Sequence, residues 1–235
     1  MEVEGKPVGR RVVLGMMGTG VAGILFGSKA ADLLERVIAP IASRDGTGFL
    51  SLFPVGRFRI YTVTGRLHSR SEADYTLSVS GLVDTPATYT MADLRAMPPT
   101  RMTRDFQCVT GWRVHDVKWV GVRLADLLDQ AGARPGAWGV RFLSFDGVYT
   151  ETLTMDQARG DDVIVAYELE GKPVSSAHGG PARLYVAPMY GYKSIKWLNR
   201  IEVTDAEEPA GYWEVRGYDT DAWIGESNGR DDRPV

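Results

Sequence analysis

Residues 178–203 read HGGPARLYVAPMYGYKSIKWLNRIEV, and the reading of this stretch decides the fold. It opens on His178-Gly179-Gly180-Pro181, a turn signal that bounds a strand run from Ala182 to Val186. A second run, Lys193 to Val203, is rich in β-branched and aromatic residues and predicts another strand. The same stretch carries Arg183, Lys193 and Lys196 as cations and Ser194 as a hydroxyl. Glycines admit a ligand close to the backbone, and cations with a hydroxyl suit an anchored phosphate or other anion. The residues equally suit a glycine turn flanked by surface cations whose stems lie on apolar neighbours. Spacing alone does not choose between the two.

On either side, short strand runs dominate. Arg57 to Thr64 (RFRIYTVT) and Tyr75 to Val83 (YTLSVSGLV) alternate in strand fashion. Arg104 to Cys108, Val140 to Phe145 and Asp162 to Glu168 are further strand runs. The helices are short. Thr90 caps TMADLRAM, which Pro98-Pro99 ends. Val122 to Ala131 is amphipathic with Gly132 as its C-cap, and Thr154 with Gln157 forms a capping box over TMDQA. This order is not a βαβ repeat; it predicts an α+β fold with mixed, mainly antiparallel sheets and short helices.

The chain has 235 residues, 44% of them hydrophobic, which suits one globular domain with a sizeable core. Lys+Arg total 27 and Asp+Glu 30, so no basic excess points to nucleic acid. One cysteine, Cys108, excludes an intramolecular disulfide, and three scattered histidines (His68, His115, His178) give no zinc spacing. Gly15 to Gly20 follows no strand and lacks the Lys-Ser/Thr pair of a phosphate loop.

At the N-terminus, Arg10-Arg11 precede an uncharged apolar run, Val12 to Gly27, and Ser28-Lys29-Ala30 suits a leader-peptidase site. Residues 1–30 are therefore read as a twin-arginine export leader or, if retained, an N-terminal membrane anchor. This places the protein outside the cytoplasm, in the periplasm or cell envelope. Residues 31–54 follow as an amphipathic connecting segment and residues 221–235 as a polar tail.

Cys108 stands at a strand end, close in sequence to Arg101, Arg104 and Arg113, whose charges would favour the metal-binding thiolate. A lone cysteine is also commonly a small core residue. No surrounding pattern pairs it with His115 or His178 as a protease nucleophile.

Six ordered segments settle the matter by resemblance. They are LSVSGLVDTPATYTMADLRAMP, RDFQCVTGW, WVGVRLADLLDQAG, VRFLSFDGVYTETL, the stretch from His178 to Val203, and GYWEVRGYD. Together, over roughly Val55 to Asp219, they resemble the oxidoreductase molybdopterin-binding (sulfite oxidase) family. The resemblance implies a sulfite-oxidase-type domain over residues 55–220 and a molybdenum–molybdopterin cofactor with Cys108 as the metal ligand and catalytic centre. It implies that Arg183 and Ser194-Ile195-Lys196 hold the cofactor and its phosphate, and that His178 contacts the pterin. Ser144 and the Tyr61-Thr62 loop are implied to line it. Trp112, following Val109-Thr110-Gly111, resembles the bacterial methionine-sulfoxide-reductase catalytic subunit branch and its small relatives. That implies two-electron oxygen-atom transfer, reducing a sulfoxide or N-oxide type small molecule. Electrons would come from a separate partner such as a membrane haem or quinone-linked protein. His178 departs from the asparagine of that branch, so sulfite oxidation, with Arg104, Arg113 and Lys118 as anion contacts, is the second expectation. A non-catalytic module that keeps the fold is the third. No oligomeric state is read.

Overall fold

The computed structural model describes residues 58–206 and 211–226; the expected export leader and the expected connecting segment lie outside the described residues. Ten strands and three short α-helices occur among them. In chain order the strands are β1 (Thr76–Gly81), β2 (Ala87–Thr90), β3 (Thr100–Gln107), β4 (Arg113–Arg123) and β5 (Gly139–Ser144). There follow β6 (Thr150–Thr154), β7 (Val163–Leu169), β8 (Lys172–Pro173), β9 (Arg183–Val186) and β10 (Leu198–Thr204). The helices are α1 (Met91–Ala96), α2 (Leu124–Ala131) and α3 (Met155–Ala158).

Two five-stranded sheets result. One runs β2-β1-β10-β5-β6, with β1 and β10 parallel and the other neighbours antiparallel. The other runs β3-β4-β7-β8, with β9 also paired antiparallel to β7. This is the expected α+β architecture with mixed, mainly antiparallel sheets.

Strands β7 and β9 explain how the domain holds two cores. In β7, Val163, Val165 and Tyr167 enter the larger core while Ile164, Ala166 and Leu169 enter a second, aromatic one. Burial on both faces is why Val163 to Tyr167 (VIVAY) carries no charge instead of alternating. In β9, Leu184 and Val186 face the larger core and Tyr185 the aromatic one. Successive strand side chains point to opposite faces, so Arg183 shares the side of Tyr185. Its guanidinium lies 5.6 Å from the ring centroids of both Phe106 and Trp119.

The helix ends follow local chemistry. Thr90 and Asp93, and Thr154 and Gln157, form reciprocal capping boxes, and Gly132 ends α2 in the left-handed region. Helix α2 begins at Leu124, two residues after the expected start, because Val122 and Arg123 remain paired with Val165 and Ile164.

Two expected strands are corrected. Residues 58–64 form no strand, because their polar groups bond across the domain rather than along a ladder: the Tyr61 carbonyl accepts from Lys196 Nζ at 3.1 Å. Phe58 packs among Phe106, Trp112, Trp119 and His178. The run from Lys193 also fails at its start. Gly191–Lys193 is a 3-10 turn, Trp197 has φ of 54°, and the strand begins at Leu198. Strands β2, β4 and β6 lacked a reading as strands. In β4, Asp116 at φ 52° and a register shift opposite Arg104/Phe106 interrupt the alternation.

The cause of the Lys193 turn is electrostatic. Lys193 is wholly buried, and its Nζ donates to Glu151 Oε1 at 2.8 Å and Glu214 Oε1 at 2.5 Å. Glu214 belongs to the segment 211–226, which also pairs back through Tyr212 N–H to the Thr150 carbonyl and Tyr190 N–H to the Ala222 carbonyl, both at 2.8 Å. Ala222 is buried, so residues 221–226 pack against the domain, and the rest of the tail lies outside the described residues. Burial pushes the Glu151 carboxyl well above the usual carboxylate range, against the pull of Lys193 and aided by Glu214. One ammonium thus serves two buried carboxyls.

Lys193→Met should cost about 3–5 kcal/mol, the range for removing one partner from a buried ion pair. Glu151→Gln, which keeps the Lys193–Glu214 bond, should cost no more than about 1.5 kcal/mol. Glu151 has a folded pKa above its unfolded one, so its contribution falls as pH rises from the usual carboxylate range. Urea unfolding from pH 4 to 8 should therefore show a shallower loss of stability with pH in Glu151→Gln than in wild type.

Candidate functional site

A cavity of about 450 Å³ opens beside the end of β3. Its floor brings together Cys108, His178, Arg183, Ser194 and Lys196, and the segment 58–63 forms a rim with Tyr61 and Thr62. Aromatic side chains complete the walls: Trp112 beyond β3, Tyr149 on the β5–β6 loop, and Tyr212, Trp213 and Tyr218 from the C-terminal segment. Seven expected site residues thus meet in one cavity.

Two do not reach its lining. The Ile195 side chain is buried in the larger core, and its carbonyl accepts from Leu184 N–H at 3.0 Å. Ser144 is buried behind the β5–β6 loop, where its Oγ accepts from Asp146 N–H at 3.1 Å. The residue that this bond positions, Asp146, does line the cavity. Asp146 Oδ1 accepts from the N–H groups of Val148 and Tyr149, at 2.9 and 2.8 Å. Its Oδ2 is buried with no partner. Such an orphan acceptor calls for a donor from a ligand. Sequence reading missed Asp146, although the Asp146-Gly147 pair marks a turn whose aspartate bonds its own backbone.

The charges are the decisive feature. Arg183 is 2% exposed, and its three donor groups go to main-chain carbonyls: Nη1 to His178 at 2.7 Å, Nη2 to Ser194 at 2.6 Å, and Nε to Leu184 at 3.3 Å. Lys196 Nζ likewise donates to the Tyr61 carbonyl and, at 2.9 Å, to that of Ala177. Among the described residues neither cation has a carboxylate in salt-bridge range. Burial lowers Arg183 to about 10; burial, then the charge of Arg183, lowers Lys196 to about 7. His178 is lowered by burial and by both cations, which keeps its imidazole neutral at neutral pH. A buried guanidinium beside a half-buried ammonium, with no counter-ion, is costly unless an anion joins them.

Local backbone geometry holds this arrangement. Gly179 has φ of 97°, and a Cβ there would stand 2.6 Å from Lys196 Cβ, so no other residue fits. Its carbonyl accepts from Trp197 N–H at 2.8 Å, and Trp197 Nε1 donates to the Ser176 carbonyl at 2.9 Å. Ser194 Oγ is not free to face a ligand as a donor alone, since it accepts from Val186 N–H at 3.0 Å.

The arginines nearest Cys108 in sequence take no part. Arg104 pairs with Asp162, and Arg113 bonds Gln107; both line a separate surface pocket with Asp105 and Asp116. Lys118 is exposed on β4. None of these three lines the cavity, whereas Arg183 and Lys196 arrive there from a distant part of the chain.

A thiol for a metal, a cation pair without a carboxylate partner for a phosphate and an orphan acceptor for a heterocycle N–H make one donor set, and it fits a metal-bearing pterin. The sequence profile of the oxidoreductase molybdopterin-binding domain family matches residues 64–213. The chain belongs to this family.

Among its relatives, an uncharacterized oxidoreductase, YuiH, of Bacillus subtilis is 36% identical over 61% of this chain and 72% of its own length. The sulfite oxidase of Arabidopsis thaliana is 30% identical over 61% of this chain and 45% of that protein. The protein-methionine-sulfoxide reductase catalytic subunit MsrP of Ralstonia nicotianae is 33% identical over 58% and 45%. The chain thus spans less than half the length of the latter two. The sulfane dehydrogenase SoxCD of Paracoccus pantotrophus shares the fold, with a TM-score of 0.58 over 75% of this chain and 50% of that one at 24% identity. The protein is an oxidoreductase of the molybdopterin-binding family with a sulfite-oxidase-type fold.

Only a protonated Lys196 attracts an anion, so affinity for inorganic pyrophosphate should fall as pH rises above about 7. Calorimetry in two buffers of different ionisation enthalpy at pH 8 should detect proton uptake on binding. Lys196→Met should lose that uptake and bind more weakly at pH 6.

Proposed function

We propose that this protein holds molybdenum–molybdopterin through Cys108 and reduces sulfoxide or N-oxide type small molecules with electrons from a separate partner. The observation that carries the cofactor assignment is the carboxylate-free pair Arg183–Lys196 in the same cavity as the chain's one cysteine. Arg183 and Lys196 grip the phosphate, Ser194 steadies their loop, and Asp146 Oδ2 accepts a pterin N–H. His178 contacts the pterin as a neutral imidazole, and Tyr61 and Thr62 cover it from the rim. Ile195 and Ser144 act from behind, through the backbone and through Asp146.

When bound, the cofactor supplies two-electron oxygen-atom transfer. The protein's task is to orient the substrate and exclude bulk water. Trp112, Tyr212 and Trp213 do this with an apolar aromatic wall that suits a neutral sulfoxide. A sulfite anion would need cations beside the metal, and the expected ones, Arg104, Arg113 and Lys118, do not line the cavity. One observation favours sulfite oxidation as the second reading: Arg59 stands on the rim.

Reducing a sulfoxide to a sulfide and water consumes two electrons and two protons, so an electron donor must dock. Relatives named catalytic subunits give this donor a precedent, and the role of a membrane haem or quinone-linked protein extends it. Export by the Arg10-Arg11 leader would place the exchange outside the cytoplasm. No helix among the described residues is long and apolar enough to cross a membrane.

The test uses protein made in a cofactor-competent host. Sulfoxide-dependent oxidation of reduced viologen, abolished in Cys108→Ser, is the expected result; sulfite-dependent ferricyanide reduction with no reductase activity would replace it with the second reading. Asp146→Asn should weaken pterin retention by about 10–100-fold, the range for groups that support a metal site, read as pterin fluorescence after gel filtration.

A further inference from the structure

The loop that carries Cys108 is closed tightly on itself. Cys108 N–H donates to the Trp112 carbonyl at 2.9 Å, and Gly111 N–H donates to the Cys108 carbonyl at 3.0 Å. Between these bonds the chain turns with Gly111 at φ 91°. The turn folds the side chain of Thr110 back towards the cysteine, and Thr110 Oγ1 lies 3.2 Å from Cys108 Sγ. Both residues line the cavity. No other hydrogen bond reaches Sγ among the described residues.

In the free protein either the thiol or the hydroxyl can be the donor of this bond. A metal-bound cysteine has lost its proton and can only accept. The hydroxyl of Thr110 must then be the donor. A hydrogen bond to a ligating sulfur withdraws electron density from it, weakens its donation to the metal, and favours the reduced metal. We propose that Thr110 sets the reduction potential of the metal through this bond, as a positioning residue acting on Cys108. The inference rests on the reading of Cys108 as the metal ligand. It does not depend on which substrate is reduced.

The bond also answers a need of the site. Arg183 and Lys196 are the cations proposed to hold a phosphate, and Arg104 and Arg113 line a separate pocket. Local control of electron density at the sulfur therefore falls to a neutral donor, and Thr110 is placed to supply it. Arg113 and Trp112, its neighbours in sequence, do not bond the sulfur: Arg113 bonds Gln107, and the indole N–H of Trp112 is buried with no partner.

The test compares Thr110→Val, which keeps the shape and removes the donor, with Thr110→Ser, which keeps the donor and removes the methyl. Full-length protein from a cofactor-competent host is assayed for molybdenum per chain. Its metal is then titrated with redox mediators and followed by electron paramagnetic resonance. Thr110→Val should move the metal's one-electron potentials lower at wild-type molybdenum content, and Thr110→Ser should stay at the wild-type value. Unmoved potentials in Thr110→Val overturn the inference. So does a shift in Thr110→Ser as large as that in Thr110→Val, since the methyl would then be the active part. Wild type without molybdenum overturns the ligand reading as well; metal present with unmoved potentials overturns the role of Thr110 alone.

Discussion

A buried guanidinium and a half-buried ammonium, both held only by main-chain carbonyls, are the constraint around which this molecule is arranged. Arg183 reaches the cavity from β9, where strand alternation turns it towards the aromatic core, and Lys196 arrives from the irregular stretch before β10. Carbonyl dipoles and the rings of Phe106 and Trp119 soften the cost of burying the guanidinium, without cancelling its charge. An apolar pair of the same size would be more stable, which supports the binding role proposed for these charges. The glycine turn at Gly179, the rim carbonyl of Tyr61 and the Ser194 hydroxyl all serve the geometry of that pair.

The C-terminal segment depends on the opposite device. Lys193 is as deeply buried as Arg183, yet two glutamates compensate it, so it is spent on structure and unavailable to a ligand. Three cations within fourteen positions of one another thus divide into two roles by their partners alone. The compensated one pins Tyr212, Trp213 and Tyr218 as a wall, and the uncompensated two face the space that the wall encloses.

The fold class was legible because strand runs and capped short helices are local signals. Thr90, Gly132, Thr154 and Gln157 each act within one turn of chain. The run RFRIYTVT misled because its alternation of residue types imitates a strand, while residues 58–63 all line the cavity. Composition and spacing could not separate Lys193 from Lys196, since the glutamates that distinguish them lie 42 and 21 positions from Lys193. Cys108 could not be told from a core thiol for the same reason: its cavity is assembled from β9, the β5–β6 loop and the C-terminus. The family resemblance carried that information. Asp146 stayed hidden because its importance rests on one unpartnered oxygen, a property of packing.

The central claim is that Cys108 binds molybdenum alongside a pterin anchored on Arg183 and Lys196. X-ray absorption at the molybdenum edge, on protein from a cofactor-competent host, tests it most directly. The account predicts the sulfur shell of a dithiolene plus one further sulfur that disappears in Cys108→Ser. An identical sulfur shell in wild type and Cys108→Ser would contradict it.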